Sequence, residues 1–345
     1  MGSAKHGGAE APVRTRSLGP GGLVVSVIGY GGMPLSLAGR PSEDQAIRAV
    51  HAALDSGATL IDTADVYCLD DSDIGHNERL IAKALKQWPG SKDHIIVATK
   101  GGLTRPGGRW ERNGRPEHLR RACDKSLAAL GVERIDLYQL HAPDPRVPFA
   151  DSVGVLAELK AAGKARWVGL SNVSVGEIEL ARAIVEITTV QNRLSPFFRE
   201  ALQAQPGPVH LLRVGPLPGS SSAERPHLRP PSRSAERGAG QGLDASVVDH
   251  CAANGIGFLA YSPVGGGRLN LKLAGHAVLA PTARRLGVSA HAVALAWVLA
   301  QGPTVIPIPG GRTEEHVRDA MGAGEVSLTP EDLTAIDRAA FPVGA

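Results

Sequence analysis

Short apolar runs alternate with helix-patterned stretches along almost the whole chain, and this alternation restricts the available folds more than any other feature of the sequence. The runs that predict strands are residues 27–32, 58–62, 94–100, 135–141, 165–170, 188–191, 256–261 and 304–308. Helix signals lie between them. Ser42 and Gln45 have capping-box spacing, Ala46, Ile47, Val50, Ala53 and Leu54 share one face, and Gly57 supplies a stop. Further helices are predicted at 76–87, from Pro116 to a stop at Gly131, at 151–162, from a second capping box at Ser174 and Glu177 to about Glu186, at 244–254, and from Thr313. Strands that alternate with helices form a parallel sheet, and eight such units close into a (β/α)8 TIM barrel. Gly19-Pro20-Gly21-Gly22, inside residues 14–26, predicts an N-terminal β-hairpin ahead of the barrel. A doubly wound sheet is the structural alternative. It requires a Gly-rich phosphate turn after the first strand, and Gly29-Tyr30-Gly31-Gly32 fits that pattern poorly because no glycine occupies its last position.

Three of the runs stop abruptly in chemistry-bearing residues. Ala58 to Ile61 ends in Asp62, with Tyr67 in the following loop; a second run ends in Lys100; a third ends in His141. Functional residues gather at the C-terminal mouths of parallel strands. A phenol has an ordinary pKa of about 10 and gives up its proton poorly at neutral pH. A nearby ammonium favours the phenolate, a carboxylate can hold the ammonium in place, and an imidazole can hydrogen-bond a reacting oxygen. The set Asp62, Tyr67, Lys100 and His141 therefore suits general-acid protonation of an alkoxide.

At these residues the sequence resembles the aldo-keto reductase family. IDTADVY at 61–67, VATKGG at 97–102, YQLHAPD at 138–144, GLSNVS at 169–174, VQNRLSPF at 190–197, LAYSPVGGG at 259–267 and VIPIPGGR at 305–312 occur in family order. The resemblance implies a hairpin closing the bottom of the barrel and a nicotinamide cofactor bound without a Rossmann domain. It assigns Ser171, Asn172 and Gln191 to the carboxamide and Tyr261 to stacking on the nicotinamide ring. It places the backbone of 262–267, including Ser262, Pro263 and Gly265, beside the pyrophosphate. Gly31, Gly32 and Met33 at the first strand's mouth, and Gly310, also fall to the cofactor site. Arg312, ahead of a helix start, is expected to meet the 2′-phosphate of NADPH, making NADH the less favoured cofactor. The chain departs from the family in carrying Gly311 where Ser or Thr is frequent and Asp319-Ala320 where Glu-Asn is frequent. The implied activity is reduction of an aldehyde or ketone, with alcohol oxidation as its reverse. The alternative is a nicotinamide-binding regulatory or catalytically impaired member of the same fold, distinguished by the absence of turnover.

Residues 203–242 interrupt the pattern after the sixth strand. Pro, Gly, Ser and Arg make up 23 of these 40 residues, a composition unsuited to a packed core, so the segment is expected to be a disordered insertion, with a lid or a defect as alternatives. Residues 1–13 read as a disordered tail, leaving 14–345 as one barrel domain. The segment 203–242 also carries the chain's entire net charge of +3, so no basic face remains for nucleic acid. The partner expected is a small carbonyl compound. Cys68, Cys123 and Cys251 are an odd set without framework spacing, which points to reduced thiols and a cytoplasmic location. There is no HExxH or CxxC to suggest a metal, no secretory apolar region at the N-terminus, and no apolar run of membrane-spanning length.

Overall fold

The computed structural model describes residues 14–19, 21–204 and 245–343. The expected tail at 1–13, and all of the expected insertion except Gln203 and Ala204, lie outside the described residues. The chain opens with an antiparallel hairpin of β1 (Thr15–Leu18) and β2 (Leu23–Ser26). The barrel strands are β3 (Tyr30–Gly31), β4 (Leu60–Asp62), β5 (Ile96–Gly101), then, after a small antiparallel pair β6 (Leu103–Thr104) and β7 (Glu111–Arg112), β8 (Ile135–Leu140), β9 (Ala165–Ser171), β10 (Thr189–Arg193), β11 (Gly257–Tyr261) and β12 (Val305–Pro307). The eight barrel strands pair in parallel and in chain order. Two further bonds join the ends of the sheet and close it: Gly29 N–H donates to Pro307 O at 3.0 Å and Gly31 N–H to Pro309 O at 2.9 Å.

The helices outside the barrel are α1 (Glu43–Asp55), α2 (His76–Gln87), α3 (Pro116–Leu130), α4 (Phe149–Ala161), α5 (Val175–Arg182), α6 (Val247–Ala253), α7 (Gly266–Leu269), α8 (Leu279–Leu286), α9 (Ala290–Leu299), α10 (Glu314–Gly322) and α11 (Pro330–Arg338). Local sequence accounts for many of their limits. Pro116 opens α3, where a missing N–H costs nothing, and Gly131 at φ +68° ends it, since only glycine adopts that conformation without strain. The capping box at Ser174 and Glu177 forms as expected. The one at Ser42 forms only in half: Ser42 accepts from the Gln45 N–H, but the Gln45 side chain donates instead to Arg312 O. The helix expected to reach Glu186 ends at Arg182, because Ile184 and Val185 both turn back to Ala181 O before the next strand. The β6–β7 pair leaves no pattern in the sequence, because two-residue strands are too short to show alternation.

The strands bury both faces. Outward-facing Tyr138, Leu140, Val168, Leu170, Val190 and Phe258 pack under the helices. The lower barrel interior is apolar and is filled from below by the hairpin, whose Leu18, Leu23 and Val25 meet Leu60, Ile96, Ala98, Leu137, Leu259 and Ile306. Gly257 makes room for this plug, since a Cβ there would lie 2.6 Å from Leu18 Cδ2. Each buried Leu of the plug contributes about 1.5–3 kcal/mol. The plug gives the barrel a dry floor, and polar inward positions are confined to the layers above it. Those layers hold Asp62, Lys100, Gln139, Ser171, Gln191 and Tyr261. Among the described residues, no helix is long and apolar enough to cross a membrane.

Candidate active site

Strand alternation turns Asp62 at the end of β4 and Lys100 near the end of β5 into the barrel, and His141 follows β8 directly. The loop after β4 folds Tyr67 over them. Lys100 is fully buried, and its ammonium donates to Asp62 Oδ2 at 2.6 Å, Thr63 O at 2.9 Å and Tyr67 Oη at 3.0 Å. Gln191 Nε2 donates to the other Asp62 oxygen, Oδ1, at 2.6 Å. Removing an ion pair from water is costly unless its remaining hydrogen-bonding capacity is matched, and here both carboxylate oxygens and three ammonium directions are matched. Burial works against the charge on Lys100, but Asp62 and Tyr67 outweigh it and hold the ammonium pKa above its ordinary value.

The Tyr67 phenol differs from expectation. Burial, reinforced by the Asp62 charge, raises it more than Lys100 lowers it, and its pKa is pushed up to about 12. Tyr67 therefore keeps its proton at neutral pH. Burial and the nearby Lys100 charge hold His141 well below the ordinary imidazole range, so it is neutral. Its Nδ1 is buried without a partner among the described residues. Placing the ring proton on Nε2 then leaves a lone pair, and not an N–H, unsatisfied. Tyr67, His141 and Trp110 form a corner of steeply inclined rings, with centroids 5.8 Å apart for Tyr67–His141 and 6.4 Å for each pair that includes Trp110. This corner can present two O–H or N–H donors to one oxygen, with a cation 3.0 Å behind the phenol to take up charge if the proton leaves.

The other expected site residues line the same end of the barrel. Asn172 adopts φ +59°, donates to His141 O at 3.0 Å and Ser171 Oγ at 3.1 Å, and accepts from Tyr261 Oη at 2.7 Å. Ser171, Asn172 and Tyr261 thus form one braced unit beside His141, whereas the Gln191 amide is turned to Asp62. Ser262 at φ +50° and Gly265 at φ +89° shape the turn that follows β11, with Pro263 buried between them. Gly31, Gly32 and Gly310 have packing reasons to be glycine. A Cβ would lie 2.8 Å from Ile308 O at Gly31, 2.6 Å from Asn77 Oδ1 at Gly32 and 2.5 Å from Pro34 Cγ at Gly310. Met33 is exposed at the start of the turn that follows Gly32. Arg312 is exposed and spans to the loop after that turn, with Nε donating to Pro34 O at 3.1 Å and Nη2 to Ala38 O at 3.3 Å. Cys68 is buried with its thiol pushed up to about 11, which makes it a poor nucleophile.

Three features escaped the sequence reading: the Gln191–Asp62 bond, the buried guanidinium of Arg105 behind Trp110, and a pair of buried acids, Asp65 and Glu78, on the far side of β5. Nothing in the local pattern marks them, since each depends on partners distant in sequence.

The chain matches the model of the aldo/keto reductase family over residues 27–206 and 244–340, a match that skips the interval in which the insertion was expected. It is 33% identical to a probable aldo-keto reductase of Glycine max, across 97% of this chain and 91% of that protein. Among solved structures it resembles the glycerol dehydrogenase of Gluconobacter oxydans, at 27% identity and a TM-score of 0.67, with 94% of each chain covered. It also resembles an aldo-keto reductase of Klebsiella pneumoniae solved in complex with NADPH, at 22% identity and a TM-score of 0.68, with 94% of this chain and 95% of that one covered. With a barrel of this topology, the site at its mouth and a family match over most of its length, the chain belongs to the aldo/keto reductase family of oxidoreductases.

Proposed function

We propose that this protein reduces an aldehyde or ketone to the alcohol with NADPH, and catalyses the reverse oxidation when the alcohol is in excess. The observation that carries the proposal is the 3.0 Å contact between the buried Lys100 ammonium and a protonated Tyr67 that shares a corner with neutral His141. A carbonyl oxygen in that corner accepts hydrogen bonds from Tyr67 Oη and His141 Nε2, which draws electron density from the carbonyl carbon. As the carbon is reduced, the oxygen gains charge and takes the Tyr67 proton. The phenolate left behind is stabilised by Lys100, which Asp62 and Thr63 O keep in place.

A bound nicotinamide supplies the hydride. The residues present suit one: Ser171 Oγ and the Asn172 amide offer donor and acceptor atoms to a carboxamide, and the partly exposed Tyr261 offers an aromatic face beside them. Gln191 Oε1 can accept from the same carboxamide while Nε2 stays on Asp62. The glycine-rich turn at 265–267 permits close backbone approach of a pyrophosphate. The choice of NADPH is supported by Arg312 at the mouth and by the NADPH complex of the Klebsiella relative. The test is to follow absorbance of the reduced nicotinamide against a panel of small aldehydes and ketones. NADPH should be consumed in proportion to alcohol formed. Binding of NADPH without consumption against every member of the panel would overturn the reading in favour of a regulatory or impaired relative.

A further inference from the structure

Trp110 stands in the reaction corner, yet it sits on a short hairpin with little to hold it: β6 and β7 are two residues each, and the indole is 46% exposed. What fixes it is Arg105. The guanidinium lies 4.0 Å over the Trp110 ring, and Nη2 donates to Cys68 O at 3.2 Å and Leu69 O at 3.1 Å. Arg105 is only 7% exposed, makes no ion pair among the described residues, and leaves Nε and Nη1 buried without partners there. Burying a guanidinium with only some of its donors satisfied and no close ion pair is expensive. A scaffold that needed only to join two loops could do so with an apolar side chain. The planar cation does what an apolar chain cannot. It covers one indole face while bonding the two carbonyls that directly follow Tyr67 in the chain. The loop segment after Tyr67 and the indole are thereby linked through one rigid group.

From this arrangement we infer that Arg105 is a positioning residue that sets substrate class: it holds Trp110 as a flat wall beside Tyr67 and His141, and so favours carbonyl compounds with an aromatic substituent over small aliphatic ones. The inference rests on the carbonyl-reductase reading above. With Arg105 on one face of the indole, the part of the ring that stays exposed is left for the substrate. Stacking there adds selectivity without touching the reacting atoms.

Turnover of benzaldehyde and propanal by the full chain with NADPH, for wild type, Arg105→Met, Trp110→Ala and the double variant, tests it. Arg105→Met keeps the length and bulk of the side chain but removes the cation and its hydrogen bonds. It should lower kcat/KM for benzaldehyde about ten-fold, through KM, and leave propanal within about two-fold. The pH profile of kcat should not move. Trp110→Ala should show the same bias, and the double variant should lose no more than Trp110→Ala alone, because the two residues act as one unit. Arg105→Lys, which keeps the charge but not the planar fork, should show the bias more weakly and serves if Arg105→Met does not fold.

A second readout needs no turnover. With fluorotryptophan in place of the four tryptophans, the signal absent from Trp110→Phe identifies residue 110, and Arg105→Met should shift that signal alone. If wild type reduces neither aldehyde nor any other member of the carbonyl panel, the reductase reading fails while the fluorine signal still decides the clamp. Equal losses for both aldehydes, additive losses in the double variant, or an unmoved Trp110 signal would overturn the inference.

Discussion

β5 separates two buried polar clusters, and they resolve the same physical problem in opposite ways. On its inner face Lys100 meets Asp62, Thr63 O and Tyr67, with Gln191 on the remaining Asp62 oxygen. On its outer face the neighbouring residue Thr99 donates to Glu78 Oε1, and Asp65 lies close enough to Glu78 for their charges to repel. There Asp65 Oδ1, Glu78 Oε2 and Tyr138 Oη have no partner among the described residues. Both clusters are shut off from water. Inside, opposite charges meet in a hydrogen-bonded ion pair. Outside, two acids face each other and neither makes an ion pair among the described residues. Burial, aided by the Glu78 charge, holds Asp65 well above the usual carboxylate range, and burial also raises Glu78 despite its bond from Thr99. The inner cluster keeps a mobile proton on Tyr67 next to a fixed cation. The outer cluster holds carboxyls whose protons are harder to remove than usual and which face away from the barrel interior.

The largest effect should come from breaking the inner cluster at its proton. Tyr67→Phe removes the donor and preserves the packing. Turnover should fall about 10²- to 10⁴-fold, with cofactor affinity, followed by protein fluorescence, retained. Near wild-type turnover would mean that some other group protonates the alkoxide.

The next effect is on stability. Lys100→Met leaves Asp62 buried with no counter-ion, which should cost about 3–5 kcal/mol in urea unfolding. Adding Asp62→Asn should recover part of that loss. A Lys100→Met protein as stable as wild type would show that the pair is not charged in the fold.

Arg312 provides the exposed counterpart to Lys100. It is tied only to backbone carbonyls, so Arg312→Ala should leave stability nearly untouched. It should weaken NADPH by about 1.5–3 kcal/mol and NADH far less. Equal weakening of both cofactors in a titration would remove Arg312 from the phosphate site.

The smallest effect concerns the outer acids. A carboxyl whose pKa is raised by folding contributes stability that is fully present below its unfolded pKa and is lost as pH climbs through the folded pKa. The wild-type protein should therefore lose stability from the ordinary carboxylate range upward. Asp65→Asn, which can donate to Glu78 at any pH, should raise the melting temperature by a few degrees at pH 8 and by less at pH 5. A gain of equal size at both pH values would show that Asp65 is not stored as an acid.

What the sequence alone determined is the barrel and the four residues at its centre. Each barrel strand is a local apolar run, and Asp62, Lys100 and His141 are polar stops at the ends of such runs. Strand geometry then carries all three to the same end of the fold. Only tertiary structure decided how those groups behave. That Tyr67 holds its proton follows from burial outweighing Lys100, and burial is a property of the whole packed mouth. Gln191 reaches Asp62 across 129 residues, Arg105 reaches Cys68 across 37, and Thr99 reaches Glu78 across 21. Gly31, Gly32 and Gly310, which resemblance alone gave to the cofactor, are also held to glycine by neighbours that only the closed barrel brings within 3 Å. A periodic pattern along the chain records which way a residue faces. What it faces depends on the closure of the barrel, which joins strands far apart in sequence.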